Sequence, residues 1–130
     1  MLRLLLDTHA FLWAASDPSQ LSRAAFEAIN DPSNEVSISA AVAWEITIKS
    51  GLGKIRLPTD PRSYLPARTG SMGLRDLPIT ARHVLAVFSL PPIHRDPFDR
   101  IMIAQAQIED LVYVTRDQYS LRYPVRFLLA

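Results

Sequence analysis

His94-Arg95-Asp96-Pro97-Phe98-Asp99-Arg100-Ile101-Met102-Ile103-Ala104-Gln105-Ala106 is the stretch on which the reading of this chain turns. It has the form of a helix start. Asp96 takes the N-cap, Pro97 the first helical position, where a missing N–H removes no bond, and Asp99 follows three residues after the cap. Ile101, Ala104 and Ile108 recur as a core-facing stripe, with Phe98, Met102 and Gln105 alongside, so the acidic end of the helix is anchored. Two accounts of the carboxylates stand side by side: a capping box that satisfies orphan backbone donors, or a pair of acids presented to a ligand. Three further acids, Asp7, Glu45 and Asp117, lie beside turns or element boundaries, and their number favours the second.

Outward from this helix the chain alternates short apolar runs with amphipathic segments, the pattern of an α/β fold with a mainly parallel sheet. Leu2-Arg3-Leu4-Leu5-Leu6 predicts a strand buried on both faces that stops at Asp7-Thr8-His9. Asp7 then stands at the carboxyl edge of the sheet, where open α/β folds bind ligands, or it caps the helix expected over Ala10 to Ala15. Leu21 to Ile29 is a second helix. Val36 to Ile38 is a minimal strand, and Ser39 caps a helix over Ala40 to Ser50 with Ala41, Trp44 and Ile48 on one face. Glu45 and Lys49, four apart, form a surface pair or, alternatively, Glu45 reaches the sheet edge beside Asp7. A short helix over Arg62 to Ala67, an edge strand near Gly73 to Arg75, and a helix from the Thr80 cap to Phe88 with Val84, Leu85 and Phe88 inward complete the middle of the chain. The anchoring helix runs to about Glu109. After it, Leu111 to Val114 is a strand that ends in Thr115-Arg116-Asp117, and Val125 to Leu128 is the last strand. Two strands thus each deliver an aspartate beside a threonine to one sheet edge, given right-handed crossovers.

With 130 residues, the chain has the size of one domain, residues 1–130, able to bury a core without disulfides. A hydrophobic fraction of 48% and a charged fraction of 21% fit a globular protein, and no apolar run approaches the ~20 residues of a membrane span. The expectation is a cytoplasmic protein, in keeping with the lack of cysteine. A net charge of +1 gives no overall field for nucleic acid, so any such contact is local. Neither a Walker pattern nor GxGxxG occurs, and the turn Gly51-Leu52-Gly53-Lys54 is a helix end, not a phosphate loop.

If Asp7, Glu45, Asp99 and Asp117 converge, with Asp96 at the margin, mutual repulsion raises their pKa values unless a cation neutralises them. Oxygen-only ligation selects a hard ion, Mg²⁺ or Mn²⁺, whereas three scattered histidines and no cysteine match none of the usual zinc spacings. Such an ion beside several carboxylates is the equipment of phosphodiester hydrolysis.

Leu5-Leu6-Asp7-Thr8-His9, Ser39 with Trp44-Glu45-Ile46 and Lys49, His94 to Arg100 running into Ile103-Ala104-Gln105-Ala106, and Val114-Thr115-Arg116-Asp117 together closely resemble the PIN-domain ribonucleases. Among these the chain is most similar to the VapC-type toxins of type II toxin-antitoxin pairs. The resemblance implies a three-layer α/β/α sandwich, Mg²⁺- or Mn²⁺-dependent RNA cleavage, a homodimer, and an antitoxin whose segment fills the active-site groove. It places the catalytic, metal-binding acids at Asp7, Glu45, Asp99 and Asp117, weighs Asp117 least because that acid varies in the family, and leaves Asp96 as an assistant. Thr8 and Thr115 become hydroxyl donors that hold carboxylates or waters. Lys49, Arg100 and Arg116 become candidates for RNA phosphate, each with a structural salt bridge as the competing role. Two other classes compete with a nuclease: an inactive PIN-like module that binds RNA or a protein, and a haloacid-dehalogenase-type phosphatase. The latter wants Asp-x-Asp after its first strand, where this chain has Asp7-Thr8-His9.

Overall fold

A computed structural model describes residues 1–130. One parallel sheet forms the middle of the molecule, built from β1 (Arg3–Leu6), β2 (Glu35–Ser39), β3 (Arg75–Leu77), β4 (Val112–Thr115) and β5 (Phe127–Leu129) in the order β3-β2-β1-β4-β5. Six helices flank it: α1 (Thr8–Ser16), α2 (Arg23–Asn30), α3 (Ala40–Gly51), α4 (Pro61–Ser71), α5 (Ala81–Ala86) and α6 (Pro97–Ile108). The result is a three-layer α/β/α sandwich. No helix is long and apolar enough to cross a membrane.

Strand chemistry follows from position. Leu4, Leu5 and Leu6 of β1 and Tyr113 and Val114 of β4 are fully buried, because helices cover both faces of the central strands. The register pairs Leu5 with Tyr113 and Leu6 with Val114, and the Asp7 N–H extends the ladder to the Val114 carbonyl at 3.0 Å. From β1 the chain steps outward through β2 to β3 and then returns across the sheet to β4, so the order reverses between β1 and β4. That reversal opens a crevice at the carboxyl ends of the two strands.

Several elements depart from the sequence expectations. Helix α4 begins at Pro61, capped by Asp60, and passes through Pro66 to Ser71, longer than Arg62 to Ala67; β3 lies at Arg75–Leu77, two residues beyond the expected edge strand. On α3 the inward face is Ala41, Val42, Glu45 and Ile46, which rotates Ile48 and Trp44 outward, the latter 58% exposed. The Trp44 ring instead meets Phe98 edge-on at 5.0 Å. On α6 the buried run is Ile101 to Ala106, and Ile108 is only half-buried. The largest correction concerns α5. Val84, Leu85 and Phe88 face solvent, with Phe88 95% exposed, because the inward position belongs to a polar residue, His83, and the α-helix tightens to a 3₁₀ turn at Val87.

His83 belongs to a buried polar chain that ties three elements together. Its Nδ1 accepts from the Thr80 N–H, which closes a capping box, and its Nε2 reaches Glu109 at 2.9 Å. Gln105, fully buried on α6, accepts from the Ser39 hydroxyl at 2.6 Å and donates to the Pro78 carbonyl at 3.3 Å. Ser39 is itself the cap that starts α3, accepting from the Ala41 N–H. Gln105→Leu is therefore expected to lower stability by about 2 kcal/mol, read by urea unfolding, since the Ser39 hydroxyl is left buried without an acceptor.

Candidate metal centre at the sheet edge

Four separated segments bring their acids to the β1/β4 crevice. Asp7 follows β1 and caps α1, its Oδ1 accepting from the Ala10 N–H at 2.8 Å and its Oδ2 from the Thr115 hydroxyl at 2.6 Å. Capping and site roles therefore coincide in one side chain. Glu45 lies one turn into α3 and is buried; one oxygen accepts from the Thr8 hydroxyl and the other from the Lys49 ammonium. Asp99 enters from the first turn of α6, and its Oδ1 accepts from the hydroxyl of Tyr113 at 2.9 Å. Asp117 follows β4, its N–H donating to the Thr115 hydroxyl and its Oδ2 accepting from the Ser120 N–H at 2.7 Å. Asp96 caps α6 through the Phe98 N–H at 2.9 Å and borders the same space.

These five acids, with Thr8, His9, Lys49 and His94, line one cavity of about 150 Å³ whose wall contains no hydrophobic residue. A larger cleft of about 640 Å³ between α4 and β3 has Asp76 as its only acid, so size alone does not mark the chemistry. Each carboxylate oxygen in the small cavity that accepts one hydrogen bond keeps a lone pair for a second partner.

The charge balance is strained. Burial, helped by the charges of Asp96, Asp7 and Asp117, pushes the Asp99 carboxyl up to about 8 against the opposing pull of the Tyr113 hydrogen bond. Burial also raises Asp7, although the Thr115 and Ala10 hydrogen bonds resist it. Tyr113 is raised well above its ordinary value by burial and by the Asp99 charge, so its hydroxyl stays a donor. Lys49 is raised by its hydrogen bond to Glu45, which keeps it cationic. The donor set, rich in carboxylate oxygen and free of sulfur, suits a hard divalent cation, and such a cation would displace the proton that Asp99 otherwise retains near neutrality.

Two side chains at this edge escaped the sequence reading. His94 Nε2 lies 2.9 Å from Asp117 Oδ2 and 3.3 Å from Asp99 Oδ2, and one ligand atom from each of the three residues falls within 4.8 Å of the others. Its Nδ1 accepts from the Asp96 N–H, which assigns the proton of the neutral ring to Nε2. The approach to Asp117 is close but poorly aligned, so Nε2 lacks a well-formed hydrogen bond. The signal for Tyr113 was a phenol inside an otherwise apolar strand, which needs a partner when buried.

The structure does not gather all three basic candidates. Lys49 borders the cavity, but Arg100 donates to the carbonyls of Pro91 and Val87 and to the Tyr123 hydroxyl, tying the preceding loop to α6. Arg116 donates to the carbonyls of Ala130 and Gln20 and stacks over Trp13 at 4.4 Å. Both arginines stand outside the lining of the acidic cavity.

The chain is 36% identical over 73 residues to Ribonuclease VapC16 of Mycobacterium tuberculosis (strain ATCC 25618 / H37Rv), a stretch that is 51% of this chain and 52% of that protein. It thus spans about half the length of the curated relative it matches. In fold it is similar to chains in the crystal structure of VapBC2 from Rickettsia felis bound to a promoter DNA fragment (TM-score 0.70, 17% identity, 98% of each chain). A DNA-bound VapBC structure from Salmonella typhimurium is similar as well (TM-score 0.68, 21% identity, 98% of each chain). A sequence model described as the PIN domain matches residues 4–124, a span that includes every acid of the cavity, and the chain belongs to the PIN domain family.

Proposed function

We propose that this protein is a VapC-type endoribonuclease, a single PIN domain that hydrolyses RNA phosphodiester bonds with Mg²⁺ or Mn²⁺ held by Asp7, Glu45, Asp99 and Asp117. The observation that carries the reading is the gathering of these acids, from four distant segments, in one small polar cavity where Asp99 is driven toward protonation unless a cation arrives. The partial identity to a ribonuclease supports the same chemistry.

A bound divalent ion supplies Lewis-acid activation of water and neutralises charge on the phosphate. The chain supplies the frame. Thr115 fixes the plane of the Asp7 carboxylate and Thr8 that of Glu45, so both acids present defined lone pairs. Tyr113 does the same for Asp99 from within the core. Lys49 offsets the charge of Glu45 and is the one lysine or arginine that lines the cavity. Arg100 and Arg116 act through the backbone, holding the walls in place.

An inhibitory antitoxin and a homodimer belong to the same proposal. Similar solved structures include VapBC and toxin-antitoxin complexes, which supports the first. Apolar side chains left open on α3 (Trp44), just past its end (Leu52) and at α5 (Leu85, Phe88) offer surface for either. The test is direct: labelled RNAs are incubated with the purified protein in Mg²⁺, Mn²⁺ or a chelator. Cleavage with either ion and none with the chelator is expected. RNA binding without cleavage in any ion would overturn the enzymatic reading in favour of a binding module.

A further inference from the structure

A second cleft of about 500 Å³ adjoins the acidic cavity, bounded by Pro92, Ile93, His94, Arg95, Asp96 and Tyr119, and shares His94 and Asp96 with it. Its chemistry differs from its neighbour's. Tyr119 is 53% exposed, and its ring stands 5.3 Å from that of His94 at an angle of 49°. The ring is large and half open to solvent, with the His94 ring on one side. Its backbone, by contrast, is held, because the Tyr119 carbonyl accepts from the Arg122 N–H at 3.1 Å. The opposite wall is equally firm. Pro91 and Pro92 stiffen the chain, the His94 N–H donates to the Tyr123 hydroxyl at 2.7 Å, and the His94 ring is pinned by the Asp96 N–H. Arg95 sits exposed at the rim, whereas Arg100 and Arg116 are committed to backbone carbonyls.

We infer that this cleft is a subsite for one unpaired nucleobase of single-stranded RNA, the base stacking on Tyr119 and an adjoining phosphate meeting Arg95. The inference rests on the ribonuclease reading and deepens it. An aromatic face accepts any base, and a guanidinium pairs with phosphate in bidentate fashion, so the two together recognise a nucleotide outside a duplex. A base seated there places its own phosphate toward His94 and Asp96, at the mouth of the carboxylate cavity. Asp96 repels that phosphate and Arg95 offsets it, which favours entry along the arginine side. Because the backbone of both walls is already held by hydrogen bonds, little backbone ordering opposes binding.

The test uses fluorescence anisotropy of labelled short single-stranded RNAs with the Asp7→Asn protein, alone and combined with changes in the cleft. Tyr119→Ala is expected to weaken binding about ten-fold and Tyr119→Phe to leave it within about two-fold. Arg95→Ala is expected to weaken binding and to reduce the slope of log affinity against log salt by about one. An RNA with an abasic site at the seated position loses the difference between Tyr119 and Ala. Unchanged binding in Tyr119→Ala, an absence of RNA binding altogether, or an effect only on a protein partner each overturns the subsite. Cleavage assays separate the two claims. Cleavage with the same KM in Tyr119→Ala removes the subsite and leaves the nuclease, whereas Tyr119-dependent binding by a protein that cleaves no RNA keeps the subsite and removes the nuclease.

Discussion

Asp99→Asn and Asp7→Asn are each expected to lower Mg²⁺-dependent RNA cleavage by about a thousand-fold or more while leaving the domain folded and more stable. In Asp99→Asn the amide oxygen still accepts from the Tyr113 hydroxyl, so the core contact survives, but the charge that draws a cation is gone. In Asp7→Asn the oxygen facing the Ala10 N–H is likewise kept. Asparagine needs no proton to enter the site neutral, so the cost that burial places on the carboxyl is avoided and a gain of about 1 kcal/mol in stability follows. Asp96→Asn is the control. Asparagine caps a helix as well as aspartate does, so the α6 start is preserved and activity falls only a few-fold if Asp96 serves mainly as the cap. Single-turnover cleavage and thermal unfolding of the three variants decide the matter. An inactive Asp96→Asn beside an active Asp99→Asn would shift the ligand role by one helical turn.

The second large effect is a stability that depends on pH and on cation together. Asp99 has an ordinary value of 3.8 and stands at about 8 in the folded protein, so between these limits the unfolded chain has released its proton and the native chain has not. The native state then binds more protons, and stability falls as pH rises through that window. Asp7, raised in the same direction, adds to the fall. The metal-free protein is expected to melt roughly 5–10 °C lower at pH 8 than at pH 5. Mn²⁺ replaces the retained proton and restores more of the loss at pH 8 than at pH 5. Differential scanning calorimetry of the wild type and Asp99→Asn, with and without Mn²⁺, measures both effects. A melting temperature that stays level over this range, or an equal Mn²⁺ response in Asp99→Asn, would refute the arrangement.

The sheet could be read from residue order because its central strands are short, continuous apolar runs bounded by Asp-Thr or Thr-Arg-Asp, and covering both faces leaves no other home for Leu4 to Leu6. The same logic located Asp7 and Asp117 at one edge. Asp99 and Asp96 followed from the proline one residue inside the helix. What stayed hidden were residues whose partners are remote in sequence. His94 looks like an ordinary loop residue until β4 carries Asp117 to it, and Gln105 looks like an interruption of an apolar face until Ser39 arrives. Periodicity misled on α5 for a physical reason. It counts apolar side chains, and there the inward position belongs to His83, whose hydrogen bonds to Thr80 and Glu109 satisfy it in the interior.

The reversal of strand order between β1 and β4 has a bearing on when the acidic cavity can form. The Thr115 hydroxyl that aims Asp7 lies 108 residues downstream, and β1 has only one of its two neighbours until β4 arrives. A growing polypeptide therefore holds Asp7, Glu45 and even Asp99 before it holds Asp117 and the finished cavity. The acidic cavity is complete only once β4 has paired with β1, so the helices that carry Glu45 and Asp99 can form before the pocket they line.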